Sequence, residues 1–109
     1  MQALFLMIAG HALADFAFQS EAMGRGKSRK YKAPPPDTGH FPHWFYWLTS
    51  HSLIHGGMVA VITGVWRLGL AEMVLHWITD YAKCEGWIGF HTDQGVHVGS
   101  KLLWWALLP

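Results

Sequence analysis

Ionisable side chains recur in pairs, four residues apart, inside apolar segments of this chain. The pairs are His11 with Asp15, His51 with His55, His76 with Asp80, and Asp93 with His97. A spacing of four places both side chains of a pair on one face of a helix, about 6 Å apart. Imidazole nitrogens and carboxylate oxygens are ligands of zinc, iron, manganese and nickel, so the pattern indicates metal chemistry.

Such groups are costly in apolar surroundings unless something compensates them. An unpaired Asp at membrane depth costs roughly 2.5–3.5 kcal/mol. Three of them would forfeit about 7–10 kcal/mol, which is comparable to the stability of a whole domain. We therefore expect the four faces to turn inward toward one another around a metal. A purely hydrogen-bonded polar network is the alternative. Haem ligation is less favoured, because it gives no reason for three Asp residues.

The composition of the chain points to a membrane protein. Of 109 residues, 51% are hydrophobic, 7 are Trp and only 14% are charged, against about 25% charged residues in an average soluble domain. The formal net charge of +1 argues against a nucleic-acid partner. The single cysteine, Cys84, excludes an internal disulfide and a cysteine-based zinc site.

The hydrophobic pattern predicts an all-α fold, a small polytopic membrane helical bundle of about four helices in a single domain, 1–109. The predicted helices cover 2–19, 41–66, 68–84 and 92–108. The first two are long enough to cross a bilayer, and the last two are buried helices or tilted spans. A loop over 21–42 contains glycines, basic residues and three prolines, which cannot continue a helix. No Lys or Arg precedes the N-terminal apolar run, so we expect that run to be retained.

Basic residues predict the orientation of the bundle. Five of them lie in the loop: Arg25, Lys27, Arg29, Lys30 and Lys32. The positive-inside rule puts this basic loop, 24–32, in the cytoplasm and both termini outside. All four polar pairs then lie in the cytoplasmic half of the bundle. Glu72 is predicted at the outer surface, as a helix-end residue rather than a ligand.

The candidate site residues follow from this arrangement. The predicted metal ligands are His11, Asp15, His51, His55, His76, Asp80, Asp93 and His97. They suit one or two divalent transition-metal ions, zinc first, with iron or manganese as alternatives. Asp15, Asp80 and Lys27 are the catalytic candidates, because a carboxylate that binds no metal is a general base and a lysine binds phosphate. The predicted activity is metal-dependent hydrolysis of a membrane-proximal lipid or phosphoester.

The ordered set of motifs resembles known families. "HALADFAFQS", "GRGKSR", "HSLIH", "HWITDYAK" and "DQGVH" together resemble the DUF3307 family of small bacterial and phage-encoded integral membrane proteins. They are similar, more loosely, to the YdjM-like family of membrane-bound metal-dependent hydrolases. The resemblance implies the inner membrane of a bacterium and no established activity. It carries over a polar set of His11, Asp15, Gln19, Lys27, His51, His55, His76, Asp80, Lys83, Asp93, Gln94 and His97.

Two further functions stay open. In the first, the polar centre is structural, and the chain is a phage- or prophage-type accessory protein that oligomerises or binds a host membrane protein. Exposed Trp faces and the Pro-rich loop would make those contacts. In the second, buried His and Asp side chains form a proton or ion pathway, although the outer halves of the helices offer little polar continuation beyond Glu72 and Lys101. The expected partners are therefore membrane lipid, a second copy or a host membrane protein.

Overall fold

The protein is built from helices, which the computed structural model describes over residues 1–32 and 42–109. The elements are α1 (Gln2–Ala12), a π-helical turn (Leu13–Ala17), α2 (Glu21–Gly26), α3 (Trp44–Thr63), α4 (Trp66–Cys84) and α5 (Phe90–Ala106). The predicted all-α class is confirmed, and no strand occurs in these ranges. The Pro-rich part of the predicted loop, 33–41, lies outside the described residues. In the described part of the chain, no helix combines the length and the apolar character needed to cross a bilayer.

Two segments differ from the sequence prediction. Glu21–Gly26 was predicted to belong to the loop over 21–42 but forms a short helix, because Ser20 Oγ accepts a hydrogen bond from Met23 N at 3.1 Å and caps its first turn. The first predicted helix ends in a π-helical turn, in which Phe18 N donates to Leu13 O at 2.9 Å. Such widened turns are frequent at functional sites, and this one carries Asp15.

Helices α3 and α4 form a closely packed antiparallel hairpin. Gly64, with φ of 72°, ends α3 in the left-handed conformation that favours glycine. A Cβ atom added to Gly56 would lie 2.5 Å from the backbone oxygen of Gly69, and one added to Gly69 would lie 2.6 Å from Ala60 Cβ. Glycine at both positions therefore lets the two backbones approach. Helix α1 packs against α3 and α5, and α5 packs against α4, so these helices share one interior.

This close approach gives a direct stability prediction. Gly56→Ala should lower the free energy of unfolding by about 1–3 kcal/mol, since the added methyl group forces two backbones apart. Gly57→Ala is the matched control, because a Cβ there meets no atom within 4 Å, and alanine favours the helix by up to about 1 kcal/mol. Chemical unfolding of both variants measures the difference. Equal stability of the two variants would contradict this account of the helix contact.

The bundle has a polar interior and an apolar exterior. The buried hydrophobic side chains among the described residues are Met7, Ala14, Leu48, Val59 and Trp104. Three times as many buried side chains, fifteen, are polar or charged. On the surface, Phe5 is 70% exposed, Val61 84% and Trp66 66%. Soluble domains mostly bury apolar side chains, whereas here polar contacts hold much of the interior beside a small apolar cluster around Met7, Val59 and Trp104.

Candidate metal centre

Four side chains from three elements meet around one carboxylate oxygen. Asp15 comes from the π-helical turn, His51 and His55 from α3, and His76 from α4. Asp15 Oδ1 lies 2.8 Å from His55 Nε2, 3.2 Å from His51 Nε2 and 4.0 Å from His76 Nε2. Each residue offers one ligand atom, and the four atoms lie within 4.8 Å of one another. These residues are called the His/Asp cluster below.

The spacing within the His/Asp cluster suits a small metal ion. In a tetrahedral zinc site with bonds of roughly 2.0–2.1 Å, neighbouring ligand atoms are about 3.4 Å apart. The three separations from Asp15 Oδ1 fall on both sides of that value. The local fold explains the arrangement, because one helical turn aligns His51 with His55, and the hairpin then stacks His55 on His76 with ring centroids 3.7 Å apart.

Two of these imidazoles lack hydrogen bonds within the described residues. Both ring nitrogens of His51 and both of His76 are buried and have no hydrogen-bond partner. A buried polar group left unsatisfied costs about 1–3 kcal/mol. The Nε2 atoms of His51 and His76 lie 3.2 Å and 4.0 Å from Asp15 Oδ1. A metal ion at the His/Asp cluster would accept the lone pair of each of these two Nε2 atoms.

Asp80 and Asp93 lie beside the His/Asp cluster but are paired with lysines. Lys27 Nζ donates to Asp80 Oδ2 at 2.7 Å, and Lys83 Nζ donates to Asp93 Oδ2 at 3.3 Å. His97 Nε2 lies 3.1 Å from Asp93 Oδ1 and 3.4 Å from Asp80 Oδ1. These two carboxylates and His97 are close enough to form another ligand group. However, two ammonium groups already lie where a second cation would bind.

The carboxylate of Asp15 differs from the other carboxylates of the polar interior. Asp80, Asp93 and Glu72 each have a lysine within ion-pair distance. In the described part of the chain, Asp15 has only histidines at that distance. A neutral imidazole supplies no positive charge, so a bound cation is the simplest compensation for Asp15.

One comparison with known proteins finds a family for this chain. A family model described as a protein of unknown function, DUF3307, matches residues 3–106. The chain belongs to the DUF3307 family. The match runs from α1 to α5 and includes every residue of the His/Asp cluster. No curated protein and no solved structure matches the chain, so the chemistry of this DUF3307 protein has to be inferred from its geometry.

His11, although predicted as a ligand, lies beside the His/Asp cluster of this DUF3307 chain. Gln94 Nε2 donates to Asp15 Oδ2 at 3.0 Å, which leaves Gln94 Oε1 to accept a hydrogen bond from His11 Nε2, also at 3.0 Å. In this arrangement His11 Nε2 donates to Gln94 Oε1, and it also lies 3.5 Å from Asp15 Oδ2. Gln19 has a comparable supporting contact, since its Oε1 accepts from Lys27 Nζ at 2.6 Å. The sequence predicted one polar centre for these residues, and in the structure His11 contacts Gln94 while Gln19 contacts Lys27.

Glu72 is the site residue whose position was predicted incorrectly. It was expected at the outer surface but is only 1% exposed. Its carboxylate accepts hydrogen bonds from Lys101 Nζ at 2.5 Å, Trp104 Nε1 at 2.5 Å and Ser100 Oγ at 3.1 Å. Its Oε1 also lies 3.5 Å from His76 Nδ1. A sequence signal was present, because Glu72 and His76 have the same four-residue spacing as the other polar pairs.

The basic segment after α2 is attached to the end of α4. Arg29 donates two hydrogen bonds to the Glu85 carboxylate, one from Nε and one from Nη2 at 2.8 Å, and Lys30 Nζ donates to Glu85 O at 2.9 Å. Hydrogen bonds from Arg29 lower the pKa of Glu85, and the same contact raises the pKa of Arg29. This attachment holds the chain that supplies Lys27, which is itself 3% exposed.

Proposed function

We propose that this protein binds one divalent transition-metal ion at the His/Asp cluster and uses it to hydrolyse a phosphoester. The observation that carries the proposal is the set of unsatisfied ring nitrogens on His51 and His76 around Asp15. Three imidazoles and one carboxylate favour zinc, with iron or manganese as alternatives. One ion rather than two is expected, because Lys27 and Lys83 already neutralise the neighbouring carboxylates.

Hydrolysis is supported by groups that a structural ion does not need. A bound ion of this class lowers the pKa of a coordinated water toward neutrality. Asp80 Oδ2 lies 3.4 Å from His51 Nε2 and 3.6 Å from His76 Nε2, so a second carboxylate borders the ligand set and can take up a proton. Lys27 Nζ, 2.7 Å from the same oxygen, supplies a positive charge for a phosphoryl group. Of the two predicted bases, Asp80 therefore fits better, and Asp15 fits as a ligand.

A cavity gives the proposed substrate a place to bind. It has a volume of about 450 Å³, within the range of roughly 300–1,000 Å³ typical of small-molecule sites. Its lining consists of Gly26, Ser28, Arg29, Tyr31, Pro42, His43 and Trp44. Two of these residues, Gly26 and Ser28, flank Lys27 in the chain, and Lys27 contacts Asp80. We assign it as the approach to the His/Asp cluster.

The test begins with protein purified without a histidine tag and without added metal. Elemental analysis should find about one equivalent of zinc, iron or manganese per chain. The metal-loaded protein should then hydrolyse a generic phosphoester such as bis(4-nitrophenyl) phosphate or vesicles containing phosphatidic acid, and a chelator should stop it. Asp80→Asn should reduce kcat by about 10²–10⁴-fold while retaining the ion, as expected for loss of a general base. Glu21→Gln is the control, because the Glu21 side chain is 76% exposed and pairs with Arg25 at the surface.

A metal-loaded protein that cleaves none of these phosphoesters would remove the hydrolase proposal and leave the metal site standing. Unchanged kcat in Asp80→Asn would remove Asp80 as the base. The second predicted function, a structural centre in an accessory membrane protein, would then be favoured.

We also propose that lipid covers the apolar exterior, in the inner membrane of a bacterium, with the basic segment 24–32 on the cytoplasmic side. This is supported by the polar interior together with exposed side chains on every long helix, such as Phe5, Val61, Leu70 and Leu102. A second copy or another membrane protein would cover part of the same surface. Sedimentation of cell extract should place the protein in the membrane pellet, from which detergent but not salt releases it. A monomer in the supernatant would contradict this location.

A further inference from the structure

We infer that Glu72 positions His76 for metal binding, and that helix α5 holds Glu72 in place for this purpose. The inference rests on the proposed metal site at the His/Asp cluster. It gives α5 a role in that site, although α5 contributes none of the four cluster residues.

The two nitrogens of the His76 ring face different carboxylates. Nε2 lies 4.0 Å from Asp15 Oδ1, toward the His/Asp cluster, and Nδ1 lies 3.5 Å from Glu72 Oε1. The ring is fully buried and neither nitrogen has a hydrogen bond within the described residues. A metal-binding histidine usually donates its other N–H group to a carboxylate, which fixes the tautomer and the direction of the ring. Glu72 is placed to accept from Nδ1–H and so to leave the Nε2 lone pair for the ion.

Glu72 itself is not placed to be a ligand. Although Glu72, His76 and His97 are close enough to form a ligand group, both oxygens of Glu72 are already used. Oε1 accepts from Lys101 Nζ at 2.5 Å, and Oε2 accepts from Trp104 Nε1 at 2.5 Å. An ammonium group this close repels a second cation. The carboxylate is therefore anchored to α5 on one side and directed toward His76 on the other.

Lys101 is anchored in turn. Its Nζ also donates to the backbone oxygen of His97 at 3.2 Å and to Ser100 Oγ at 3.3 Å, and its side chain is 1% exposed. These contacts fix the position of the ammonium group and, through it, the position of Glu72. The order of dependence runs from α5 to Glu72, from Glu72 to His76, and from His76 to the ion.

A matched pair of double variants separates this positioning role from the role of the ion pair in packing. Glu72→Gln with Lys101→Met and Glu72→Leu with Lys101→Met both remove the buried charges together, so neither leaves a lone charge behind. Only the first keeps an oxygen facing His76 Nδ1. Titration with Zn²⁺ and Co²⁺ should show a 10–100-fold weaker affinity for the Leu/Met variant. The Gln/Met variant should stay within a few-fold of wild type and keep the wild-type visible absorption bands of bound Co²⁺.

Two additional measurements test whether Glu72 acts through His76. In a His76→Ala background, the Leu/Met pair should cause no further loss of affinity. In the zinc-loaded wild type, long-range ¹H–¹⁵N NMR should find the proton of His76 on Nδ1, a result that does not depend on any variant folding.

These experiments test the positioning role of Glu72 separately from the metal site on which it depends. Equal affinities in the two double variants, or a proton on Nε2 of His76, would overturn the positioning role while the metal site stands. If wild-type protein binds neither Zn²⁺ nor Co²⁺, the metal site and this inference both fall.

Discussion

His51→Ala should lower the affinity for the bound metal by more than about 100-fold, above the 10–100-fold typical of residues that act on a ligand from outside. The reason is that His51 Nε2 faces Asp15 Oδ1 at 3.2 Å and both of its ring nitrogens otherwise lack a hydrogen bond within the described residues. Loss of one ligand from a four-ligand site leaves a water in its place. Affinity should also fall on acidification in the wild type, because protons compete with the ion for imidazole.

Stability provides a second measurement of the same change. A ligand present at 1,000 times its Kd stabilises the folded state by about 4.1 kcal/mol, so saturating metal should raise the wild-type free energy of unfolding by about that amount. It should leave His51→Ala almost unchanged. His11→Ala is the control, because His11 Nε2 is bonded to Gln94 rather than directed at the cluster. If His11→Ala lost the metal as completely as His51→Ala, the separation of ligands from supporting residues would be incorrect.

The sequence predicted much of the polar centre because its signal is local. Pairs four residues apart must share a helix face, and polar faces in an apolar chain must converge. The structure brings the eight predicted metal ligands into one buried region, each of them at most 9% exposed. The π-helical turn at Asp15 was not predicted, because no residue type in Leu13–Ala17 distinguishes it from an ordinary helical turn.

The sequence could not predict which carboxylates pair with a lysine and which one is left for a metal. Lys27 and Asp80 are 53 residues apart, and Lys101 and Glu72 are 29 apart, so no local spacing links them. Positions in a chain do not reveal which acid a lysine will neutralise, and that assignment leaves Asp15 with histidines but no lysine at ion-pair distance within the described residues. The proposal of one ion, where the sequence allowed one or two, rests on this assignment.

Lys101→Met should destabilise the protein by about 3–5 kcal/mol, the range found when one partner of a buried ion pair is removed. Glu72 would then be a buried charge with only Trp104 and Ser100 as donors. Lys30→Met is the matched control, since that lysine is 56% exposed and its ion pair with Glu85 is 3.6 Å long. Because Lys30 is solvent-exposed and the buried Glu85 carboxylate keeps its hydrogen bonds from Arg29, loss of this pair should cost about 0–1 kcal/mol. Chemical unfolding in the same detergent compares the two.

A second substitution at Glu72 should restore most of the free energy of unfolding that Lys101→Met removes. Adding Glu72→Gln removes the stranded charge and keeps the hydrogen bonds from Trp104 and Ser100, and removal of both partners of a buried pair is often neutral. Most of the lost 3–5 kcal/mol should therefore return. A Lys101→Met protein as stable as wild type would mean that Glu72 does not depend on Lys101 for its charge. The anchoring of Glu72 by α5 would then rest on Trp104 and Ser100 alone.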